Sequence, residues 1–158
     1  IAFAREPATR WAHIGQFDVV AETAERRARY WPGLMDLRAF DGEISIATTE
    51  VGRPAVLLPK TRLVDLSGLN EPRLTRDRWT VARLVAAERP DWIWLPHPDY
   101  ATLLRQLTDD AGFRAEYDVF PASALGTTMG VAILKTSPFA EDLKGIVETI
   151  KRPSPPPL

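Results

Sequence analysis

Between Pro90-Asp91 and Pro96 lies the run Trp92-Ile93-Trp94-Leu95. Four apolar residues without alternation, fenced by prolines, are too few for a helix and leave no side for water. A strand of this kind needs cover on both faces, and helices supply that cover in sheets built from parallel strands. The run therefore demands other strands to pair with it and helices to lie above and below.

The rest of the sequence offers both. Residues 1–16 show no clean period and read as an irregular lead-in, whereas Phe17, Val20, Ala21, Ala24 and Ala28 recur at helical spacing until Trp31-Pro32-Gly33. Glu43–Thr48 and Arg62–Leu66 are β-branched and strand-like. Between them, the breaker cluster Glu50-Val51-Gly52-Arg53-Pro54 precedes a short apolar run, Ala55-Val56-Leu57-Leu58-Pro59. Thr75 is a candidate N-cap, with Asp77 in the first turn, for a helix that presents Val81, Leu84 and Val85 and ends near Arg89-Pro90. Tyr100, Leu103, Leu104 and Leu107 predict a second helix from Asp99 to a stop at Gly112. Residues 113–120 and Met129–Leu134 alternate, predicting an antiparallel pair. Ser137-Pro138 opens a last helix that buries Phe139, Leu143, Ile146, Val147 and Ile150.

This order predicts an α/β three-layer sandwich. Its mostly parallel central sheet would hold about three parallel strands plus an antiparallel hairpin at one edge, flanked by helices. One domain is expected over residues 17–151, a length that buries roughly two-thirds of the unfolded surface. The end, Arg152-Pro-Ser-Pro-Pro-Pro-Leu158, reads as an extended, solvated tail, and a start at Ile1 suggests a piece of a longer chain.

Composition narrows the function. With no cysteine, disulfides and thiolate zinc sites are impossible, and two histidines, His13 and His97, rule out a histidine-rich metal centre. A net charge of −1 lacks the basic footprint of nucleic-acid binding. The chain contains no nucleophile elbow, P-loop, dinucleotide fingerprint or zincin motif. No catalytic residue, metal ligand or cofactor is therefore assigned.

In open parallel sheets, ligands favour the crevice beyond the carboxyl ends of the strands. Those ends here are Thr48-Thr49-Glu50, Asp65-Leu66-Ser67-Gly68 and Pro96-His97-Pro98-Asp99. Thr49, Glu50, Asp65, Asn70, His97, Asp99 and Tyr100 are the candidate ligand-binding residues, suited to a sugar, a phosphate or a cation. An architectural reading stands beside this one: Asp65 bonds the Ser67-Gly68 turn, Leu69 plugs the core, His97 holds its own turn and Asp99 caps the next helix.

The stretch ISIATTEVGRPAVLLPKTRLVDLSGLNEP, followed by a helix and then RPDWIWLPHPDY, resembles the soluble C-terminal domain of bacterial polytopic membrane glycosyltransferases. That family is related to protein mannosyltransferases and arabinosyltransferases and uses polyprenyl-phosphate sugars. The matching positions are Glu50 and Gly52, then Asp65, Gly68, Leu69 and Asn70, then Arg89, Pro90, Asp91 and Tyr100. The first strand ends in Glu-Val-Gly where the family pattern has Asp-x-Gly, and Asn70 is followed by Glu71-Pro72. The resemblance implies a non-catalytic domain on the extracytoplasmic face of a bacterial membrane, tethered by upstream spans. Its partners would be the transmembrane region of the parent protein and a glycan or polyprenyl-phosphate sugar. Two other readings stay open: an independent carbohydrate- or lipid-phosphate-binding module, and a small hydrolase or transferase using Asp65, His97 and Glu50.

Overall fold

The computed structural model describes residues 29–151. Five short strands, β1 (Ser45–Thr48), β2 (Arg62–Asp65), β3 (Trp92–Trp94), β4 (Tyr117–Phe120) and β5 (Val131–Leu134), form one open sheet in the order β2-β1-β3-β5-β4. β1 pairs in parallel with both β2 and β3. β5 runs antiparallel to β3 and to β4, so β4 points the same way as the first three strands. One rim of the sheet therefore collects four carboxyl ends. The helices flanking the sheet among the described residues are α1 (Gly52–Leu57), α2 (Pro72–Thr75), α3 (Val81–Glu88), α4 (Ala101–Thr108), α5 (Ala111–Glu116), α6 (Ala122–Leu125) and α7 (Ala140–Lys151).

The expectation for Trp92-Ile93-Trp94 holds: all three are fully buried. Period-two geometry sends the tryptophans into one hydrophobic cluster, with Ile46, Ile133, Leu143 and Val147, and Ile93 into the other, with Leu84, Val85 and Leu107. The two indoles meet edge-on, 6.2 Å apart. Trp94 Nε1 donates to the Pro32 carbonyl at 2.9 Å, which pins the segment before β1 onto this face. Gly33 is needed there. It adopts φ +77°, and a Cβ would come within 2.8 Å of Ile146 and 3.3 Å of Trp92.

At the opposite, amino rim, the Arg89-Pro90-Asp91 motif is architectural. Arg89 ends α3 in a left-handed conformation, φ 47°, and its guanidinium reaches Glu116 at 2.7 Å and Thr136 at 3.1 Å. Asp91 Oδ2 accepts from the Ser45 N–H at 2.8 Å and the Ser45 hydroxyl at 3.0 Å, while its Oδ1 accepts from Ser137 Oγ at 2.7 Å. This carboxylate thus ties β1 to the segment between β5 and α7.

Several sequence expectations are corrected. The helix assigned to a Thr75 cap begins at Val81, because Thr80 takes the N-cap role and accepts from the Arg83 N–H, while Thr75 closes the short α2. The helix expected to run to Gly112 ends at Thr108. Asp110 then caps α5, accepting from the Phe113 N–H at 2.8 Å, and so converts residues 113–116 from expected strand to helix. The apolar run after Gly52 folds as α1. The assigned helix over residues 17–28, the lead-in, His13 and the proline-rich tail lie outside the described residues.

Both outer strands carry charge. Arg62, opening β2, pairs with Glu88, and Glu88 also meets Arg73 at 2.6 Å, which in turn holds Glu71 at 2.7 Å. Asp118 of β4 pairs with Lys144 at 3.1 Å. Glu71 and Glu88 are held below the ordinary carboxylate value, chiefly by the hydrogen bonds from Arg73. A carboxylate whose folded value is lowered stabilises the fold above its unfolded value and loses that contribution as pH falls through the folded one.

Two outcomes test this account. Asp91→Ala should lower unfolding free energy by about 2–3 kcal/mol in urea denaturation, since three donors lose a charged acceptor. Arg73→Met should be less stable than the parent at neutral pH, with the difference shrinking as pH falls below about 4.5. A difference that stays constant across that range would refute the assigned coupling.

Candidate functional site

The connection out of β1 runs through α1, whose following residue Leu58 joins the tryptophan-side cluster. The connection from β2 to β3 runs through α3, whose Val81, Leu84 and Val85 join the other cluster. Because the two crossovers take opposite faces, the chain parts at the carboxyl ends of β1 and β3. This is the topological switch point at which open α/β sheets form a crevice.

Five of the candidate residues border it. Thr49 and Glu50 leave β1, and His97, Asp99 and Tyr100 follow β3. Thr48 Oγ1 accepts from the Glu50 N–H at 3.1 Å and bends the chain away from the strand. Thr49 is only 4% exposed, and its hydroxyl has no hydrogen-bond partner among the described residues. His97 Nδ1 lies 3.2 Å from both the main-chain N and a carboxylate oxygen of Asp99. One nitrogen cannot serve both: unprotonated, it accepts from the N–H and holds the turn; protonated, it donates to the carboxylate. The expectation that Asp99 caps the next helix is overturned, since the N-cap of α4 is Tyr100, without a side-chain bond.

Three residues not chosen from the sequence complete the group. Tyr30 stacks on His97, ring centroids 5.4 Å apart and nearly parallel, and packs against Trp31 at 4.3 Å. The Arg53 guanidinium sits 5.5 Å from the Trp31 ring. Burial pushes the Tyr30 phenol above its ordinary value, with Glu50, Tyr100 and Asp99 adding to the effect. Tyr30 thus remains a hydroxyl donor facing carboxylates.

Asp65 and Asn70 do not join this group. Asp65 lies beside Thr48 in β2, on the far side of β1 from His97. Its carboxylate is taken up by its own turn, accepting from the Ser67 N–H at 2.8 Å, Ser67 Oγ at 2.6 Å and the Asn70 N–H at 2.8 Å. The architectural reading of Asp65 is therefore the one observed. The same turn corrects another expectation: Leu69 does not plug the core but stands 87% exposed.

Behind the Pro96-His97-Pro98 segment is a pocket of about 180 Å³, lined by Leu95, Pro96, Pro98, Leu104, Val119 and Pro121 among others. The prolines line the pocket while the histidine between them meets Tyr30. A polar, aromatic crevice and an apolar pocket share this one-residue wall. Gly130 keeps the pocket floor closed up, since a Cβ there would lie 2.8 Å from Leu95 and 2.7 Å from the Phe120 carbonyl.

Among the described residues, no group of three or more histidines or carboxylates could hold a metal ion, and no helix is long and apolar enough to cross a membrane. No family model matches the chain, and neither does any curated protein or solved structure.

Titration of tyrosine absorbance tests the electrostatics. Glu50→Gln should lower the Tyr30 midpoint yet leave it above that of a free tyrosine, because burial is the larger cause. An unchanged midpoint would remove Glu50 from the group.

Proposed function

We propose that this chain is a sugar-engaging soluble domain of a membrane-embedded glycosyltransferase that uses polyprenyl-phosphate sugars. It would stand on the extracytoplasmic face and pack over the transmembrane part, with the transfer chemistry residing there. The block from Ile44 to Tyr100 supports the kinship, and packing on both sheet faces accords with a three-layer sandwich.

The observation that carries the ligand reading is the switch-point group itself. Tyr30, Trp31, His97 and Tyr100 offer ring faces, Glu50 and Asp99 offer acceptors, and Thr49 brings an uncommitted hydroxyl. Ring faces meet the C–H surfaces of a sugar while carboxylates and hydroxyls take its O–H groups. The neighbouring pocket accommodates an apolar portion of the same molecule. In the hydrolase reading, Asp65 would act with His97, but its hydrogen bonds go to its own turn and β1 stands between the two.

Titrating the chain with oligosaccharides and with polyprenyl phosphates, followed by tryptophan fluorescence, should give a saturable change. Thr49→Val should keep its stability, because the hydroxyl it loses has no partner among the described residues, and yet bind several-fold more weakly. Silence toward both ligand sets would sink the proposal. Several apolar spans encoded upstream of Ile1 would favour the tethered domain over a free-standing binding module.

A further inference from the structure

The turn after β2 is fixed twice over. Asp65, 6% exposed, accepts from both ends of it, and Gly68 adopts φ +85° with Leu74 and Thr75 of α2 only 3.3 and 3.2 Å from where a Cβ would stand. Such definition usually serves to bury a side chain, but here it holds Leu69 out in solvent. The chain beyond α2 folds back on that helix: the N–H groups of Arg76 and Asp77 bond the Pro72 carbonyl, and that of Trp79 bonds the Arg73 carbonyl. Arg76 and Arg78 thus follow directly on the helix whose Leu74 and Thr75 pack against Gly68 of the turn.

These two arginines are poorly neutralised. The Arg76 side chain is 75% exposed and, among the described residues, pairs only with the adjacent Asp77. Arg78 has no ion pair or hydrogen bond among the described residues, and it adopts φ 55°, a conformation unfavourable for any residue with a Cβ. Nearby, Arg83 stacks on Trp79 at 4.1 Å. Residues 69–83 carry four arginines against Glu71 and Asp77.

We propose that this corner docks on an anionic phospholipid surface, Leu69 entering the headgroup–acyl boundary while Arg76 and Arg78 meet the phosphates. Charge complementarity selects this occupant: a lone apolar tip flanked by cations matches a thin anionic layer over an apolar one. A protein partner would call for a broader apolar patch, whereas the other exposed large apolar residues among those described, Met35, Val56 and Val119, belong to other parts of the fold. Attachment through so few groups is weak and salt-sensitive, adequate for a domain already held near a bilayer. Its relevance rests on the tethered reading above, but the binding itself does not.

Co-sedimentation of the whole chain with vesicles tests it, using phosphatidylcholine alone and an equal mixture with phosphatidylglycerol. Binding is expected on the anionic vesicles only, falling as salt rises and about fivefold weaker for each arginine removed. Leu69→Asp should abolish it. Arg78→Gly removes one charge while relieving the backbone, so weaker binding by that variant cannot be ascribed to unfolding. Equal binding to neutral vesicles, no binding to anionic ones, or variants that match the parent would overturn the proposal. So would self-association in solution abolished by Leu69→Asp, which would assign the corner to a second copy. A silent sugar titration with intact vesicle binding would fail only the ligand reading, and the reverse result only this one.

Discussion

One carboxylate sets the alignment on which the rest depends. Asp91 stands at the entry to β3 and gathers Ser45 from β1 and Ser137 from beyond β5, while its main chain pairs with both neighbouring strands. β3 is only three residues long, too short to hold register against two partners by ladder bonds alone. A charged acceptor at its start supplies what length does not. The consequence appears at the other end of the same strand: fixing β1 against β3 at the amino rim also sets the relative positions of the segments that carry Glu50 and His97 away from the two strands.

What could be read from the sequence follows from which signals are local. The doubly covered strand, the three strands running together and the late antiparallel pair all declare themselves through period and punctuation. Caps were harder, because Thr75 and Thr80 carry the same hydroxyl, and Thr75 is taken up as the last residue of a short helix that Glu71 caps and Pro72 opens, which leaves Thr80 to start the long one. Residues 113–116 show the converse. Their alternation suits a strand, yet an aspartate three residues earlier than Phe113 nucleates a turn of helix that packs Phe113 on Tyr117.

The rim was legible as a place more than as a set of residues. Reading polar groups at strand exits finds Glu50, His97, Asp99 and Tyr100, which share a border in the fold. It also gathers Asp65 and Asn70, whose spacing is equally that of a turn clasp, and geometry alone separates the two uses. Tyr30 and Trp31 were invisible by this route, since they precede β1 and reach the crevice through the Trp94–Pro32 bond across a long stretch of chain. An aromatic pair ahead of Pro-Gly is the trace they leave, and it does not say where the pair will land. Leu69 failed as a core residue for a similar reason: glycine before it permits the turn but does not dictate the direction of the side chain.

Among the described residues the sheet is open on both sides, which leaves β2 and β4 with backbone groups that a like chain could adopt. Each strand is four residues long. Arg62 stands at the head of one, while Asp118 and the Lys151 ammonium over Phe120 guard the other. Strand-to-strand zippering between neighbours would force these ions together or strip their water. Molecules crowded along a two-dimensional surface, where encounters are frequent, would therefore remain separate units instead of growing into ribbons.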